Sequence, residues 1–224
     1  MKFHIISIFP QSFDSYLKES IIGRAIKNKL ISVRFYNPRD FIKAPKNNYK
    51  PVDDKPYGGG PGMVMRAEPI LKVIEKVVSK IKDKKKILII NFIPSAEKFT
   101  TTYAKKVSKK YTDIILICGR YEGIDARVNK VIRAMGYVVR NFSIGDYVLT
   151  GGEIPAMILV DCVSRQIKGV LGKYESLEEE RISSSEVYTR PEILKYKNKN
   201  YKVPKVLLLG NHKKIEEWKK LDKK

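Results

Sequence analysis

Apolar residues recur along the chain in two rhythms. Residues 2–9 form a short apolar run that reads as a buried strand, and residues 30–36 alternate apolar with polar positions, as a second strand does. Residues 11–28 have helical spacing, interrupted near Ser20. Residues 67–82 predict a helix whose stripe is Ile70, Leu71, Ile74, Val77, Val78 and Ile81, with Pro69 suited to its first turn. The remaining pattern predicts strands over 86–93, 114–118 and 137–139, and helices over 96–110, 125–134 and 153–164. Strands and helices thus alternate as far as residue 165. The strands are short and rich in Ile and Val, the mark of an α/β fold with a parallel sheet covered by helices on both faces. Such sheets bind ligands beyond the C-terminal ends of their strands.

Two stretches break the alternation. Residues 37–62 hold five prolines and four glycines and no periodic element, a long loop by ordinary standards. After Leu171 the chain turns polar: residues 173–190 carry Glu175, Glu178, Glu179 and Glu180 and then three consecutive serines, and read as a linker or lid. Residues 195–224 follow with eleven lysines against three acids. There VPKVLLLG predicts one more strand, and Asn211 is placed to cap a final helix, HKKIEEWKKL. The organisation read from the chain is therefore an α/β unit over 1–171, an acidic linker over 172–190 and a small basic unit over 191–224.

Charge narrows the partners. The 224 residues include 45 Lys plus Arg against 24 Asp plus Glu, a formal net charge of +21. Such a field attracts polyanions, nucleic acid first and an acidic membrane second. Lysine-rich helix surfaces such as Lys105, Lys106, Lys109 and Lys110 also fit a general bias in lysine usage. No apolar run is long enough to span a bilayer, so no membrane role is expected. The opening MKFHIISIFPQSF reads as a strand and not as a signal peptide. Cys118 and Cys162 lie in apolar runs and read as reduced, buried thiols, which fits the cytoplasm. Two cysteines and two separate histidines make no zinc pattern, and no metal ligands are assigned.

Neither G-x-G-x-x-G nor a Walker A sequence is present. Glycine instead clusters at three places. Gly58, Gly59, Gly60 and Gly62 either cradle a ligand or form a flexible turn. CGRYEG, at residues 118–123, joins a strand to a helix at the ligand edge. SIGDYVLTGGE, at residues 143–153, flanks apolar and aromatic side chains with backbone amides, which suits a flat adenine with polar edges.

With these segments the chain closely resembles the bacterial tRNA (guanine-N1-)-methyltransferase family, which acts on the guanine just 3′ of the anticodon. The resemblance is carried by IFPQSF, GRA, NPRDF, VDDKPYGGGPGMVM, ILICGRYEGID, SIGDYVLTGGEIPAM, VSRQIKGVLG, YTRPEIL and LLLGNHKKIEEW, in order from residue 8 to 218. It implies a deep C-terminal trefoil knot in the α/β unit, although most chains are unknotted. It also implies a homodimer with a composite site, tRNA as partner, and S-adenosyl-L-methionine as cofactor. Some members require Mg2+ as well. The resemblance assigns cofactor binding to Gly119, Tyr121, Glu122, Ser143, Ile144, Gly145, Asp146, Tyr147, Val148, Leu149, Gly151, Gly152 and Pro155. Departures are Ile93-Pro94-Ser95-Ala96, where the family has S-P-x-G, a longer stretch between CGRYEG and SIGDY, a missing histidine before VDD, and a shorter, truncated helical C-terminal domain.

Methylation of guanine N1 requires removal of the N1 proton while negative charge grows on N1 and O6. A base must reach N1 and a cation must lie near O6. The resemblance assigns the cation to Arg165 in VSRQIKG. Counting on through G-V-L-G, the family's aspartate falls on Glu180, with Glu178 and Glu179 as adjacent alternatives. Arg24 and Arg190 are candidates for RNA contact, Arg190 also for contact with a partner subunit, and Asp53 and Asp54 for bracing the glycine loop. Two other readings remain open at this stage: a knotted enzyme with another RNA substrate, and an RNA-binding protein that has lost catalysis.

Overall fold

A computed structural model describes residues 1–43, 50–172 and 186–221. They fall into two compact units, Met1–Leu171 and Gly172–Lys224.

The first unit is built on five parallel strands in the order β2-β1-β6-β5-β7: β1 (Lys2–Ile6), β2 (Ser32–Tyr36), β5 (Ile87–Phe92), β6 (Asp113–Ile117) and β7 (Val138–Phe142). Central strands buried on both faces need apolar side chains at every position, and β6 is buried throughout. Its alternation still decides which core each residue joins. Ile114 and Leu116, with Leu88 and Ile90 of β5, pack on α1 (Asp14–Leu17), α2 (Ser20–Lys27), α4 (Thr101–Lys110) and α6 (Glu153–Ser164). Ile115 and Ile117, with Ile87 and Ile89, pack on α3 (Ala67–Val78) and α5 (Arg127–Ala134).

Several boundaries differ from the sequence pattern for local reasons. The break near Ser20 separates α1 from α2, and Ser20, the first residue of α2, is left-handed with φ +49°. Helix α4 starts at Thr101, not at residue 96, because the Thr100 hydroxyl caps it by accepting from Tyr103 N at 3.2 Å. Residues 97 and 99 instead bond to Ser143, whose amide donates to Glu97 O at 2.9 Å and whose carbonyl accepts from Phe99 N at 2.8 Å. Strand β7 continues to Phe142 along β5, further than the predicted residue 139. The long loop contains a short antiparallel pair, β3 (Asp53–Asp54) and β4 (Val64–Met65), with the glycine cluster between them.

The second unit holds an antiparallel hairpin, β8 (Ile193–Tyr196) and β9 (Lys199–Lys202), turned by Lys197 and Asn198, both at positive φ. Two left-handed central residues are what a tight two-residue hairpin turn requires. The expected strand over VPKVLLLG is a short helix, α7 (Lys205–Leu208): Pro204 supplies its N-cap and Leu207 N donates to the Pro204 carbonyl. Helix α8 (His212–Leu221) is capped as expected, with Asn211 Oδ1 accepting from Lys214 N at 3.2 Å. The second unit is therefore mixed α and β, where a helical unit was expected.

Candidate functional site

A cavity of about 370 Å³ opens at the C-terminal ends of β5, β6 and β7, large enough for a small cofactor. Three segments wall it. Asn91 to Pro94 leave β5, Gly119 to Ile124 leave β6, and the segment after Phe142 returns across both strand ends to the start of α6. That return is tied down in order. Ser143 bonds to residues 97 and 99 after β5, and Gly152 N then donates to Gly119 O after β6 at 2.9 Å. Gly152 has φ −84°, which any residue can adopt, so its lack of a side chain serves space. A β-carbon there would stand 2.6 Å from Cys118 Cα.

Of the residues expected to hold the cofactor, Gly119, Tyr121, Glu122, Ser143, Ile144, Tyr147, Val148, Leu149, Gly151, Gly152 and Pro155 all line this cavity. Gly145 and Asp146 do not. The Gly145 carbonyl accepts from the Ser143 hydroxyl at 2.8 Å, and Asp146 is exposed and paired with Lys98 at 2.5 Å. Arg165 is not in the lining either. It caps the C-terminus of α6 and so lies about 15 Å along the helix from Pro155, the lining residue nearest to it in sequence. Glu178, Glu179 and Glu180 lie outside the described residues. Arg24 and Arg190 are both exposed.

The glycine loop reaches the same rim. Met65 N donates to Gly123 O at 2.9 Å, Glu122 N to Met63 O at 3.0 Å, and the Gly62 α-carbon packs against the Glu122 side chain. Asp54 Oδ1 accepts from Lys55 N at 2.8 Å, turning the chain at the start of that loop.

Further residues of the site and its support lie beyond the sequence reading, Asn91, Arg120, Glu153 and Ser7 among them. Asn91 is the one polar residue in the β5 run and lines the cavity, while its side-chain oxygen is buried and has no hydrogen-bond partner among the described residues. Beneath the cavity, Glu153 is 3% exposed and accepts from the Ser7 hydroxyl at 2.7 Å. Its other oxygen is 3.0 Å from Arg120 Nε, a charge contact without an aligned hydrogen bond. Arg120 Nη1 donates to Thr150 O at 3.3 Å, and its guanidinium lies 4.7 Å from the centre of the Phe9 ring. Burial, followed by the Glu153 charge, lifts the neighbouring Cys118 thiol well above its ordinary range. Among the described residues no cluster of His, Cys, Asp and Glu is arranged to hold a metal ion, and no helix is long and apolar enough to cross a membrane.

Comparison with known proteins gives this arrangement a lineage. The chain matches the family described as tRNA (Guanine-1)-methyltransferase TrmD over residues 1–224. It is 45% identical to the tRNA (guanine-N(1)-)-methyltransferase of Clostridioides difficile (strain 630), covering 98% of this chain and 91% of that protein. It is 42% identical to the protein of the same name from Buchnera aphidicola subsp. Acyrthosiphon pisum, covering 97% and 87%. A third, from Campylobacter jejuni subsp. doylei, is 42% identical over 98% of this chain and 90% of its own length. Matches of this identity and extent settle the lineage: the chain belongs to the tRNA (guanine-N1-)-methyltransferase family.

Proposed function

We propose that the protein transfers a methyl group from S-adenosylmethionine to N1 of the guanine 3′ of the anticodon in tRNA. The observation that carries this reading is the cavity at the strand ends, lined by residues 143–144 and 147–152 and by Asn91, in a chain of this family. The cavity fits the cofactor by size and by its lining of glycine-rich backbone beside Ile144, Val148 and Leu149. When bound, the cofactor supplies an electrophilic methyl group. The chain must supply a base at N1, a cation at O6 and in-line placement of the two reactants.

Glu180 is the proposed base and Arg165 the proposed cation. Since Arg165 stands at the far end of α6 from the cavity of its own chain, we assign its role to the site of a second copy. A homodimer is supported by Ile154 and Ile158, which expose an i, i+4 apolar stripe on α6, and by exposed Phe9, Tyr16 and Val148 in the same unit. The trefoil knot is supported by the return of residues 143–152 from the edge strand β7 across the ends of β5 and β6. The basic second unit is the proposed tRNA-contacting part, in a cytoplasmic enzyme.

The test is methyl transfer to unmodified tRNA transcripts that carry the target guanine or have it replaced. Transfer that depends on that guanine supports the reading. Transfer to neither transcript, or equally to both, overturns it.

A further inference from the structure

Glu153 is the least expected charge in the first unit. It sits in the first turn of α6, where the helix dipole favours an anion, and it is closed off from solvent. A carboxylate is retained in such a place only if its charge is compensated. Its two oxygens face two different parts of the fold: Ser7, just past the end of β1, and Arg120, in the loop after β6. Arg120 then reaches the cavity wall. Besides its bond to the Thr150 carbonyl, it packs on the bare α-carbon of Gly151, where a β-carbon would stand 2.4 Å from Arg120 Nε. The carboxylate thus aims a guanidinium, and the guanidinium holds the peptide segment that forms the cavity wall.

We infer that Glu153 is a positioning residue for the cofactor: it acts through Arg120 to fix the 150–152 wall, with Ser7 orienting the carboxylate. The inference rests on the proposed identity of the cavity as the S-adenosylmethionine site. Replacing the charge by an amide of the same shape leaves α6 in place and frees the guanidinium to swing toward solvent. The wall then samples positions that do not fit the ligand, so affinity falls while bound cofactor still reacts.

The experiment is a double-mutant cycle on the full chain, read by calorimetry with S-adenosylmethionine and with S-adenosylhomocysteine. Glu153→Gln should weaken both ligands by about tenfold to a hundredfold, the size of loss seen when an outer orienting partner is removed at metal sites. Arg120→Ala should weaken them at least as much. The double variant should match Arg120→Ala alone, because the carboxylate acts only through the guanidinium. With saturating cofactor, turnover of Glu153→Gln should stay within about threefold of the parent, so that KM moves and kcat does not. Ser7→Ala is the milder probe where Glu153→Gln lowers the yield of folded protein. It should weaken binding about threefold and add nothing to Arg120→Ala. Additive losses in either cycle, or unchanged affinity in Glu153→Gln and Ser7→Ala, would overturn the inference. A parent protein that binds neither ligand would instead overturn the assignment of the cavity.

Discussion

Gly152→Ala tests whether the return segment is held against the end of β6 as tightly as the geometry requires. The added carbon would lie 2.6 Å from Cys118 Cα, 2.9 Å from Gly119 N and 3.1 Å from Cys118 C. All three are backbone atoms of a buried strand end and cannot rotate away. Ordinary carbon contacts fall at about 3.5–4.0 Å, so the start of α6 must retreat by roughly 1 Å. That retreat stretches the 2.9 Å bond from Gly152 N to Gly119 O, worth about 1 kcal/mol, and overpacking of this kind costs about 1–3 kcal/mol. The sum of about 2–4 kcal/mol is smaller than the stability of most domains, about 5–15 kcal/mol, so the variant should fold with a lower denaturation midpoint. Binding should suffer more. A displacement near 1 Å of groups that position a ligand costs roughly 10²-fold, and S-adenosylhomocysteine affinity by calorimetry should fall by that order. Gly172→Ala is the control, since a β-carbon there meets nothing within 4 Å. If Gly152→Ala kept both the urea midpoint and the affinity of the parent, the close crossing of Gly152 over Cys118 would be wrong.

Three other outcomes are expected. Burial holds the His4 imidazole below its ordinary value of 6.5, against the raising pull of Asp113 at 3.0 Å and with further lowering by Arg34 and Lys2. The unfolded chain therefore takes up a proton that the folded chain refuses. This contribution to stability should be intact above about pH 6.5 and decline below it by at most about 1.4 kcal/mol per pH unit. Urea midpoints between pH 7.5 and 5.5, compared with those of His4→Gln, should show the decline in the parent alone. Glu180→Gln should slow single-turnover methyl transfer by roughly 10² to 10⁴ with little change in cofactor affinity, while Glu178→Gln and Glu179→Gln should have little effect. If one of those neighbours is the inactive variant instead, the proposed base is misassigned. Replacing lysines of residues 195–221 should weaken all tRNAs alike and reduce the salt slope of binding by roughly 0.7 to 0.9 per lost phosphate contact, and an unchanged slope would place the RNA elsewhere.

The layered sheet was legible because its chemistry is local. Strands such as ILIINF and DIILI are apolar at nearly every position, and that is what a strand buried on both faces needs. The stripe of α3 was legible for the same reason, since Ile70, Ile74, Val77 and Val78 recur at helical spacing and are all buried. The hairpin β8–β9 was not. Its strands, ILKY and KNYK, are exposed throughout and show no alternation of apolar with polar positions, and its turn uses Lys197 and Asn198 where glycine would have given the signal. VPKVLLLG misled in the opposite sense: an apolar run of this length suits a strand or a short helix, and Pro204 decided for the helix.

The candidate site divides along a similar line. Its glycine segments stand out in sequence because close backbone approach forbids side chains, as at Gly152 over Cys118. Charged residues that support such segments carry no comparable mark. Glu153 follows TGG at a helix start, where a glutamate is ordinary on dipole grounds alone, and Ser7 lies 146 positions away from it. Only the return of residues 143–152 over the strand ends brings the two within 2.7 Å, and the same crossing sets Arg120 between the buried carboxylate and the cavity wall. Arg165 shows the limit from the other side. Its pattern is recognisable, but α6 carries it away from the cavity that α6 itself helps to close. Ten residues separate it from Pro155 in the cavity lining, about 15 Å at 1.5 Å of rise per residue, so its proposed role rests on the proposed assembly. The exposed stripe of Ile154 and Ile158 lies on that same helix. The face that would bury against a second copy and the arginine that such a copy would deliver are thus carried by one rigid element, so a mutation that splays the stripe should also withdraw the cation.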